Sequence, residues 1–255
     1  MSWEDNVRKV VPYVAGEQPK DQDVIKLNTN ENPYPPSPKV AAVIQGFDCD
    51  ILRRYPDPDV SALVDALAER HGLDREQVFV GVGSDDVLAM SFLTFFQGKK
   101  PILFPDITYS FYDVWADLYR IPYEQQPLDE TFRIKKEDYF RENGGIVIAN
   151  PNAPTGVASK RSVLEEIAGA NPDSVVVIDE AYVDFGGESC VPLIEKYDNL
   201  LVVQTFSKSR SMAGMRIGYA MGSRKLIGCL NDVKFAFNSY TMGAVAIAAG
   251  VASVE

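Results

Sequence analysis

The chain has 255 residues, of which 36 are acidic and 25 are basic, so its formal net charge is −11. This charge argues against nucleic acid or an anionic membrane as the main partner. With 46% hydrophobic and 24% charged residues, the composition is that of a globular protein with one large core or two smaller ones, not that of a disordered chain.

The number and spacing of histidine and cysteine residues exclude several catalytic chemistries. His71 is the single histidine, and the cysteines Cys49, Cys190 and Cys229 lie far apart in the sequence. They cannot form a zinc cluster, a CxxC redox pair or a disulfide framework, and we expect no metal site. His71 closes a helical pattern before Gly72, where a positive charge is stabilised, which disfavours a Ser-His-Asp triad. In an enzyme of this composition, proton transfer would fall to lysine, tyrosine, a carboxylate or a cofactor.

The sequence contains no recognisable targeting signal. Its first residues contain no apolar run of signal-peptide length, and no stretch reaches the ~20 apolar residues that span a bilayer. Free cysteines without an export signal fit the cytoplasm. We therefore expect a cytoplasmic protein that does not bind a membrane.

Prolines and turn residues dominate the first 58 residues. Four prolines lie between positions 33 and 38, and Pro56 and Pro58 follow Tyr55. This spacing predicts an extended arm without helix that lies over another part of the molecule. The pattern changes at Asp59, after which apolar residues recur at helical spacing until Gly72.

Short apolar runs and helical patterns alternate over the rest of the chain. Strands are predicted at 78–83, 101–105, 145–150, 174–179 and 200–206, and helices at 59–70, 84–96, 110–119, 160–169, 191–197 and 241–254. Strands that are apolar on both faces and separated by helices predict an α/β fold, with a mostly parallel central sheet and helices on both of its faces. The last helix is apolar up to the final residues, so we expect a chain truncated at its C-terminus.

Ligands of parallel α/β sheets bind at the carboxyl ends of the strands, so the residues after each strand are candidate site residues. Ser84 and Asp85 open a helix after the first strand. Ser84 suits an N-cap, and the free N–H groups there suit a phosphate, although an ordinary capped helix has the same pattern. Tyr109 follows the second strand, where its ring could stack on a flat cofactor or fill the core.

The next three predicted strands end in an amide-rich turn, a carboxylate and a lysine. Residues 150–156 read NPNAPTG, a tight turn that can also hold the Asn152 amide above the sheet. Asp179 follows five apolar or small residues, and its carboxylate is costly to bury without a partner such as a cationic ring nitrogen. Lys208 follows the last strand and is the candidate nucleophile for Schiff-base chemistry. By itself Lys208 has the pattern of a surface lysine, but its combination with Asp179, an anion-binding helix end and an aromatic ring favours catalysis.

These residues resemble the fold-type I aminotransferases that depend on pyridoxal 5'-phosphate (PLP), and within them the histidinol-phosphate aminotransferases. The resemblance covers essentially the whole chain and rests on LNTNENPYPPSP, RYPDP, GVGSDD, DITYSFY, NPNAPTG, VIDEAY, TFSKSRSMAGMRIGYA and KFAFNSYT, in that order. It implies transamination between L-histidinol phosphate and 2-oxoglutarate in histidine biosynthesis, with imidazole acetol phosphate and L-glutamate as products.

The resemblance also implies a role for each site residue. Lys208 would hold PLP covalently and move the proton of the substrate's α-carbon, while Asp179 would pair with the ring nitrogen. Tyr182 would bond the phenolic oxygen of the ring, and Tyr109 would stack on its face. The phosphate would be bound by five further residues, namely Ser84, Asp85, Thr205, Ser207 and Arg216.

Three further implications concern assembly, domains and the turn at 150–156. Tyr55 would reach the phosphate bound by a neighbouring subunit, which implies a homodimer. Residues 1–58 would form an arm and part of a smaller domain, and residues 59–255 the PLP-binding large domain, with the substrate-anchoring arginine in the remainder of the small domain. Ala153 stands where many relatives have the asparagine that bonds the ring oxygen, so either Asn152 adapts or Tyr182 makes that contact alone.

Other functions fit the same motifs. An aromatic amino-acid aminotransferase or a threonine-phosphate decarboxylase-like enzyme would share the architecture and differ in a few pocket contacts. A PLP-binding module without catalysis, either part of a regulator or an inactive fragment, is an alternative of another class. The acidic charge and the absence of a DNA-binding pattern disfavour the regulator.

Overall fold

A seven-stranded sheet runs through the protein, whose computed structural model describes residues 2–19 and 24–255. The strands are β1 (Val78–Gly81), β2 (Ile102–Pro105), β3 (Tyr123–Gln126), β4 (Gly145–Ala149), β5 (Val176–Asp179), β6 (Leu200–Thr205) and β7 (Gly218–Gly222). Their spatial order is β1-β7-β6-β5-β4-β2-β3, and β7 runs antiparallel to both of its neighbours while the other pairs are parallel. The predicted mostly parallel α/β fold is confirmed.

Helices cover both faces of the sheet. Those of the described ranges are α1 (Pro38–Gln45), α2 (Ser61–His71), α3 (Ser84–Phe95), α4 (Tyr112–Tyr119), α5 (Arg161–Ala170), α6 (Arg224–Phe237) and α7 (Ala244–Val254). Helices α3, α4 and α6 share one core with Val177, whereas α1, α2, α5 and α7 share the other with Val176 and Ile178. Because successive strand residues point to opposite faces, this double cover explains why β2, β4, β5 and most of β6 are apolar on both faces.

The five predicted strands form within a few residues of their expected bounds, and other elements differ from prediction. The helix predicted at 191–197 is wrong, since Val191–Leu193 forms only a 3-10 turn and Pro192 inside it lacks a backbone donor. Strands β3 and β7 and helix α6 were not predicted. Strand β3 is short and polar, and β7 begins and ends with glycine, so neither has the apolar pattern of a buried strand.

The prediction of no helix before residue 58 is also wrong. Helix α1 begins at Pro38, where the missing N–H of proline is not needed, and the Ser37 hydroxyl accepts a 3.3 Å hydrogen bond from the Lys39 N–H. The start of the chain does form an arm, since residues 7–19 have no regular structure. The Arg8 guanidinium donates to the carbonyl oxygens of Asp117 and Leu118, so this part of the segment lies against the end of α4.

His71 ends α2 and Gly72 follows it with a φ of 67°, as predicted. Burial, with smaller contributions from Arg70 and Arg210, lowers the pKa of His71. The favourable positive charge expected at this helix end is therefore offset by desolvation, and the ring instead lies 3.3 Å from the Tyr219 hydroxyl.

None of the helices in the described ranges has both the length and the apolar character needed to cross a bilayer. Within the same ranges, no three histidine, cysteine, aspartate or glutamate side chains gather as the ligands of a metal ion would.

Candidate active site

The carboxyl ends of β4, β5 and β6 meet at one edge of the sheet. The Asn150 N–H donates to the Asp179 carbonyl at 2.8 Å, and the Glu180 N–H donates to the Val203 carbonyl at 2.7 Å. At the same edge, Gly218 at the start of β7 pairs with Gly81 on one side and with Thr205 on the other. The predicted site residues that follow β4, β5 and β6 therefore lie in one region, as the topology of a parallel sheet requires.

Asp179 is a buried carboxylate without an ionic partner. The residue is 4% exposed, and it takes part in none of the ion pairs among the described residues. The Tyr112 hydroxyl donates to Oδ2 at 2.8 Å and the Ala181 N–H donates to Oδ1 at 3.1 Å. Burial raises the pKa of the Asp179 carboxyl to about 6, although both hydrogen bonds act to lower it. Its partner in the protein is thus a tyrosine rather than a cation, and a cation placed beside it would lower the pKa again.

Tyr109 is connected to the start of α3. Its hydroxyl donates to Asp85 Oδ1 at 2.8 Å, and Asp85 Oδ2 lies 3.4 Å from Nη2 of Arg216. Burial, followed by the charge of Asp85, raises the pKa of Tyr109 well above its ordinary value, so the hydroxyl stays a donor. The Tyr109 ring lies edge-on to that of Tyr112 with centroids 5.8 Å apart. Its stacking on a cofactor stays a prediction.

The start of α3 forms a cradle of backbone N–H groups. The prediction of Ser84 as N-cap is wrong, because Gly83 occupies that position with a φ of 91° and Ser84 is the first helical residue. A Cβ on Gly83 would lie 2.4 Å from Arg216 Nη2, and a Cβ on Gly218 would lie 2.2 Å from the Ser84 nitrogen. Glycine at both positions lets the guanidinium and β7 approach this helix end, whose first N–H groups have no acceptor within the helix. An anion is the ligand that such a cradle suits.

Thr205 and Ser207 extend the cradle from β6. The Thr205 hydroxyl lies 3.0 Å from the Ser207 hydroxyl, and the Ser207 N–H donates to Thr205 Oγ1 at 3.1 Å. Both residues are buried. Through Gly218, which pairs with Thr205 and contacts Ser84, they border the same space as the helix end.

Lys208 lies under the segment at residues 28–32. Its Nζ donates to the Thr29 carbonyl at 3.0 Å and the Asn30 carbonyl at 3.5 Å, and it lies 5.5 Å from the centroid of the Tyr182 ring. The Asn30 amide donates to the Tyr182 hydroxyl at 2.9 Å, and the Asn32 amide donates to the Lys208 carbonyl at 3.0 Å. These two asparagines were not among the predicted site residues, although both belong to the LNTNENP motif.

The Asn152 amide is engaged within its own surroundings. It donates to the Ile107 carbonyl at 2.8 Å and to Thr155 Oγ1 at 3.0 Å, and its oxygen accepts from Thr108 Oγ1 at 2.8 Å. Both N–H groups of this buried amide are therefore occupied. The arrangement is that of a side chain that fixes the turn.

Tyr55 lies apart from these hydrogen bonds. The residue is 81% exposed, and its ring lies 4.7 Å from that of Tyr240, measured between centroids. Beside it a groove of about 700 Å³, lined mostly by apolar residues, runs between the 43–57 segment and α7. Tyr55 is therefore a predicted site residue that lies on the surface, away from the residues described above.

The chain is similar to known aminotransferases along its length. The sequence profile of the family described as "Aminotransferase class I and II" matches residues 22–255. The histidinol-phosphate aminotransferase of Lactococcus lactis subsp. cremoris is 59% identical over 253 residues, which are 99% of this chain and 71% of that protein. That of Acinetobacter baumannii is 55% identical over 256 residues, again covering 99% and 71%.

A solved structure has the same fold. The crystal structure of histidinol-phosphate aminotransferase from Sinorhizobium meliloti in complex with pyridoxal 5'-phosphate aligns with a TM-score of 0.80 at 25% identity, covering 89% of this chain and 63% of that one. The chain thus spans about two thirds of the length of the proteins it matches. It belongs to the class I and II aminotransferases, and within them to the histidinol-phosphate aminotransferase family.

Proposed function

We propose that the protein transfers an amino group between L-histidinol phosphate and 2-oxoglutarate with PLP as cofactor, in the biosynthesis of histidine. The observation that carries the chemistry is the placing of a buried, unpaired carboxylate and a lysine after the neighbouring strands β5 and β6. The choice of substrate follows relatives that are 54–59% identical to this chain. Imidazole acetol phosphate and L-glutamate are the expected products.

The residues of the site fit PLP. Asp179 is a buried acceptor without a cation, which the protonated ring nitrogen of PLP would supply. The glycines at 83 and 218 leave open a cradle of N–H groups beside Arg216, which the phosphate group would occupy. When bound, PLP supplies the electron sink that stabilises negative charge on the α-carbon of the substrate.

Each side chain then has a distinct task. Asp179, whose carboxylate Tyr112 orients, would keep the proton on the ring nitrogen. Lys208 would hold the cofactor through Nζ, and its amine would take the proton from the α-carbon of the substrate. The Tyr182 hydroxyl would donate to the phenolic oxygen, and the Tyr109 ring would pack against the face of the cofactor.

The phosphate site combines charge with directed donors. Arg216 offers a planar guanidinium, and its contact with Asp85 sets its position at the start of α3. The hydroxyl groups of Thr205 and Ser207 and the N–H groups of Ser84 and Asp85 add uncharged donors. Asn152 would contribute to the cofactor site by fixing the turn at residues 150–156.

The proposal includes a homodimer. Tyr55 is exposed beside an apolar groove, which supports its reaching the phosphate in a neighbouring subunit. Residues 59–255 would be the PLP-binding large domain, and residues 1–58 the arm with part of a smaller domain. A cytoplasmic location stays a prediction from the sequence.

The test is an assay of the purified chain with PLP, histidinol phosphate and 2-oxoglutarate, in which glutamate formation is measured. We expect turnover, and we expect Lys208→Ala to abolish both turnover and the visible absorption of the bound cofactor. Lys225→Ala, which changes an exposed lysine of α6, is the control that should retain both.

Other outcomes would assign other functions. Faster turnover of phenylalanine would indicate an aromatic aminotransferase, and release of carbon dioxide from threonine phosphate a decarboxylase. Binding of PLP without transfer from any of these donors would indicate an inactive fragment. Unchanged visible absorption in Lys208→Ala would contradict the role of Lys208.

A further inference from the structure

The amide expected at position 153 has a counterpart in another segment of the chain. Ala153 has no hydrogen-bonding side chain, and the neighbouring Asn152 amide uses both N–H groups on Ile107 and Thr155. Asn30, in contrast, reaches Tyr182 across 152 positions of sequence and donates a 2.9 Å hydrogen bond to its hydroxyl. An amide therefore does contact the Tyr182 hydroxyl, but it comes from the 28–32 segment.

The 28–32 segment is tied down on both sides of Asn30. Before it, the Asn28 amide donates to the Glu17 carbonyl at 2.8 Å, and Lys26 Nζ contacts Thr29 Oγ1 at 2.7 Å. After it, the Asn32 amide donates to the Lys208 carbonyl at 3.0 Å. Asn30 itself has a φ of 53°, a left-handed conformation that asparagine adopts more readily than most residues. Its side chain is therefore held toward Tyr182 by contacts that do not involve Tyr182.

The direction of this hydrogen bond determines what Tyr182 can do. A tyrosine hydroxyl has one proton to donate, whereas an amide N–H can only donate. Because the Tyr182 oxygen accepts from Asn30, its own proton is free for another acceptor. Nζ of Lys208 lies 5.5 Å from the centroid of the Tyr182 ring and donates to the Thr29 and Asn30 carbonyls, so it does not accept that proton.

We propose that Asn30 is a positioning residue that acts through Tyr182, keeping the hydroxyl proton of Tyr182 directed to the phenolic oxygen of PLP. This inference rests on the proposed function, since it concerns the same cofactor. It gives the LNTNENP motif a role in directing the hydrogen bond that Tyr182 makes to the cofactor. None of the roles described above includes this motif.

Asn30→Asp reverses the hydrogen bond while keeping the side-chain shape and the left-handed backbone. A carboxylate at position 30 accepts, so Tyr182 would donate to it and the phenolic oxygen would lose its donor. We expect the pH midpoint of the visible absorption change of the PLP-loaded protein to rise by about one pH unit. The dissociation constant for PLP, measured by titration of the cofactor-free protein, should rise about tenfold.

Gln18→Glu is the control, because it adds the same charge at an exposed side chain next to Glu17 and leaves the contacts of the 28–32 segment in place. Its midpoint should stay near that of the wild type. In a Tyr182→Phe background, Asn30→Asp should shift the midpoint no more than Gln18→Glu does, since the hydroxyl it acts through is gone. Asn30→Gly, which keeps the backbone without adding charge, should give a smaller rise.

The proposal is overturned if Asn30→Asp matches its control, or if its shift persists in full in the Tyr182→Phe background. An absence of any rise in Asn30→Gly would likewise count against it. Failure of the proposed function would look different, because the wild type itself would then lack an absorption band that depends on Lys208.

Discussion

The hydroxyl of Tyr112 donates a 2.8 Å hydrogen bond to Oδ2 of Asp179, and both residues are buried. Tyr112 is the first residue of α4, while Asp179 is the last residue of β5, so the bond joins a helix to the strand end beneath it. Together with the Ala181 N–H on Oδ1, it fixes the plane of the carboxylate. A ligand that pairs with Asp179 therefore meets a group whose orientation is already set, which reduces the ordering cost of binding.

Tyr112→Phe should weaken PLP binding. The hydrogen bond from Tyr112 lowers the pKa of Asp179, so its loss raises that pKa and leaves the carboxylate less constrained. We expect the dissociation constant for PLP to rise about tenfold at pH 7, measured by equilibrium titration.

Tyr139→Phe is the control for that change. The Tyr139 hydroxyl is buried and has no hydrogen-bond partner among the described residues, so its removal should leave PLP affinity unchanged. Equal losses of affinity in the two variants would show that Tyr112 acts through packing and not through Asp179.

The titration of Asp179 should be visible in the stability of the cofactor-free protein. Its pKa is raised to about 6 from an ordinary value of 3.8, so the folded state holds a proton that the unfolded state releases between these pH values. Asp179 therefore contributes full stability below pH 4 and loses it as the pH rises through 6. The free energy of unfolding is therefore lower by about 3 kcal/mol at pH 7 than below pH 4. Water that enters the cleft would make this difference smaller.

Asp179→Asn removes this titration at nearly constant volume. The free energy of unfolding, measured with urea at pH 4 and pH 7, should fall less between the two pH values in the variant than in the wild type. The variant should also lose most of its affinity for PLP. A wild type and variant with parallel pH dependence would show that the carboxyl of Asp179 titrates normally.

Prediction from sequence succeeded where the local pattern and the tertiary setting agree. Strand β5 is a run of valine and isoleucine that is apolar on both faces, which only a covered parallel strand requires, and it ends at Asp179. The sequence therefore locates this carboxylate and, by the same reasoning, Lys208 after β6. Strand β7 reads GYAMG, and what makes it a strand is its pairing with β1 and β6, which no local pattern reveals.

The contacts that organise the site could not be predicted in this way. The bond from Tyr112 to Asp179 joins residues 67 positions apart, and that from Asn30 to Tyr182 joins residues 152 positions apart. Each depends on how separate elements pack. The resemblance to a family could name the cofactor residues, but neither of these two supporting contacts.

Gly218→Ala should close the phosphate cradle. A Cβ at this position would lie 2.2 Å from the Ser84 nitrogen and 2.3 Å from the Gly83 carbonyl carbon, both of which are backbone atoms. The helix end must move, so we expect the variant to be destabilised by about 1–3 kcal/mol and to bind PLP at least about tenfold more weakly.

Gly228→Ala is its control, since a Cβ at that position of α6 has no neighbour within 4 Å. This variant should be as stable as the wild type or slightly more so, because alanine favours a helix. Thermal unfolding and PLP titration of both variants make the comparison. Normal PLP affinity in Gly218→Ala would contradict a phosphate site at this helix end.

The proposed role of Tyr55 can be tested by mixing two defective variants. Lys208→Ala lacks the lysine, and Tyr55→Ala lacks the exposed ring, so each should be impaired when assayed alone. If Tyr55 serves the site of a neighbouring subunit, a mixed dimer contains one site with both residues intact. Random pairing of equal amounts leaves about a quarter of all sites intact, and transaminase activity should return to that level.

A chain that carries both substitutions is the control for this experiment. In a mixed dimer with the wild type, the site that keeps Lys208 faces the subunit without Tyr55, so neither site is intact and activity should fall. Native mass spectrometry reports whether mixed dimers have formed. Recovery of activity requires that Tyr55 act between subunits, whereas mixed dimers without recovery would place its function within its own chain.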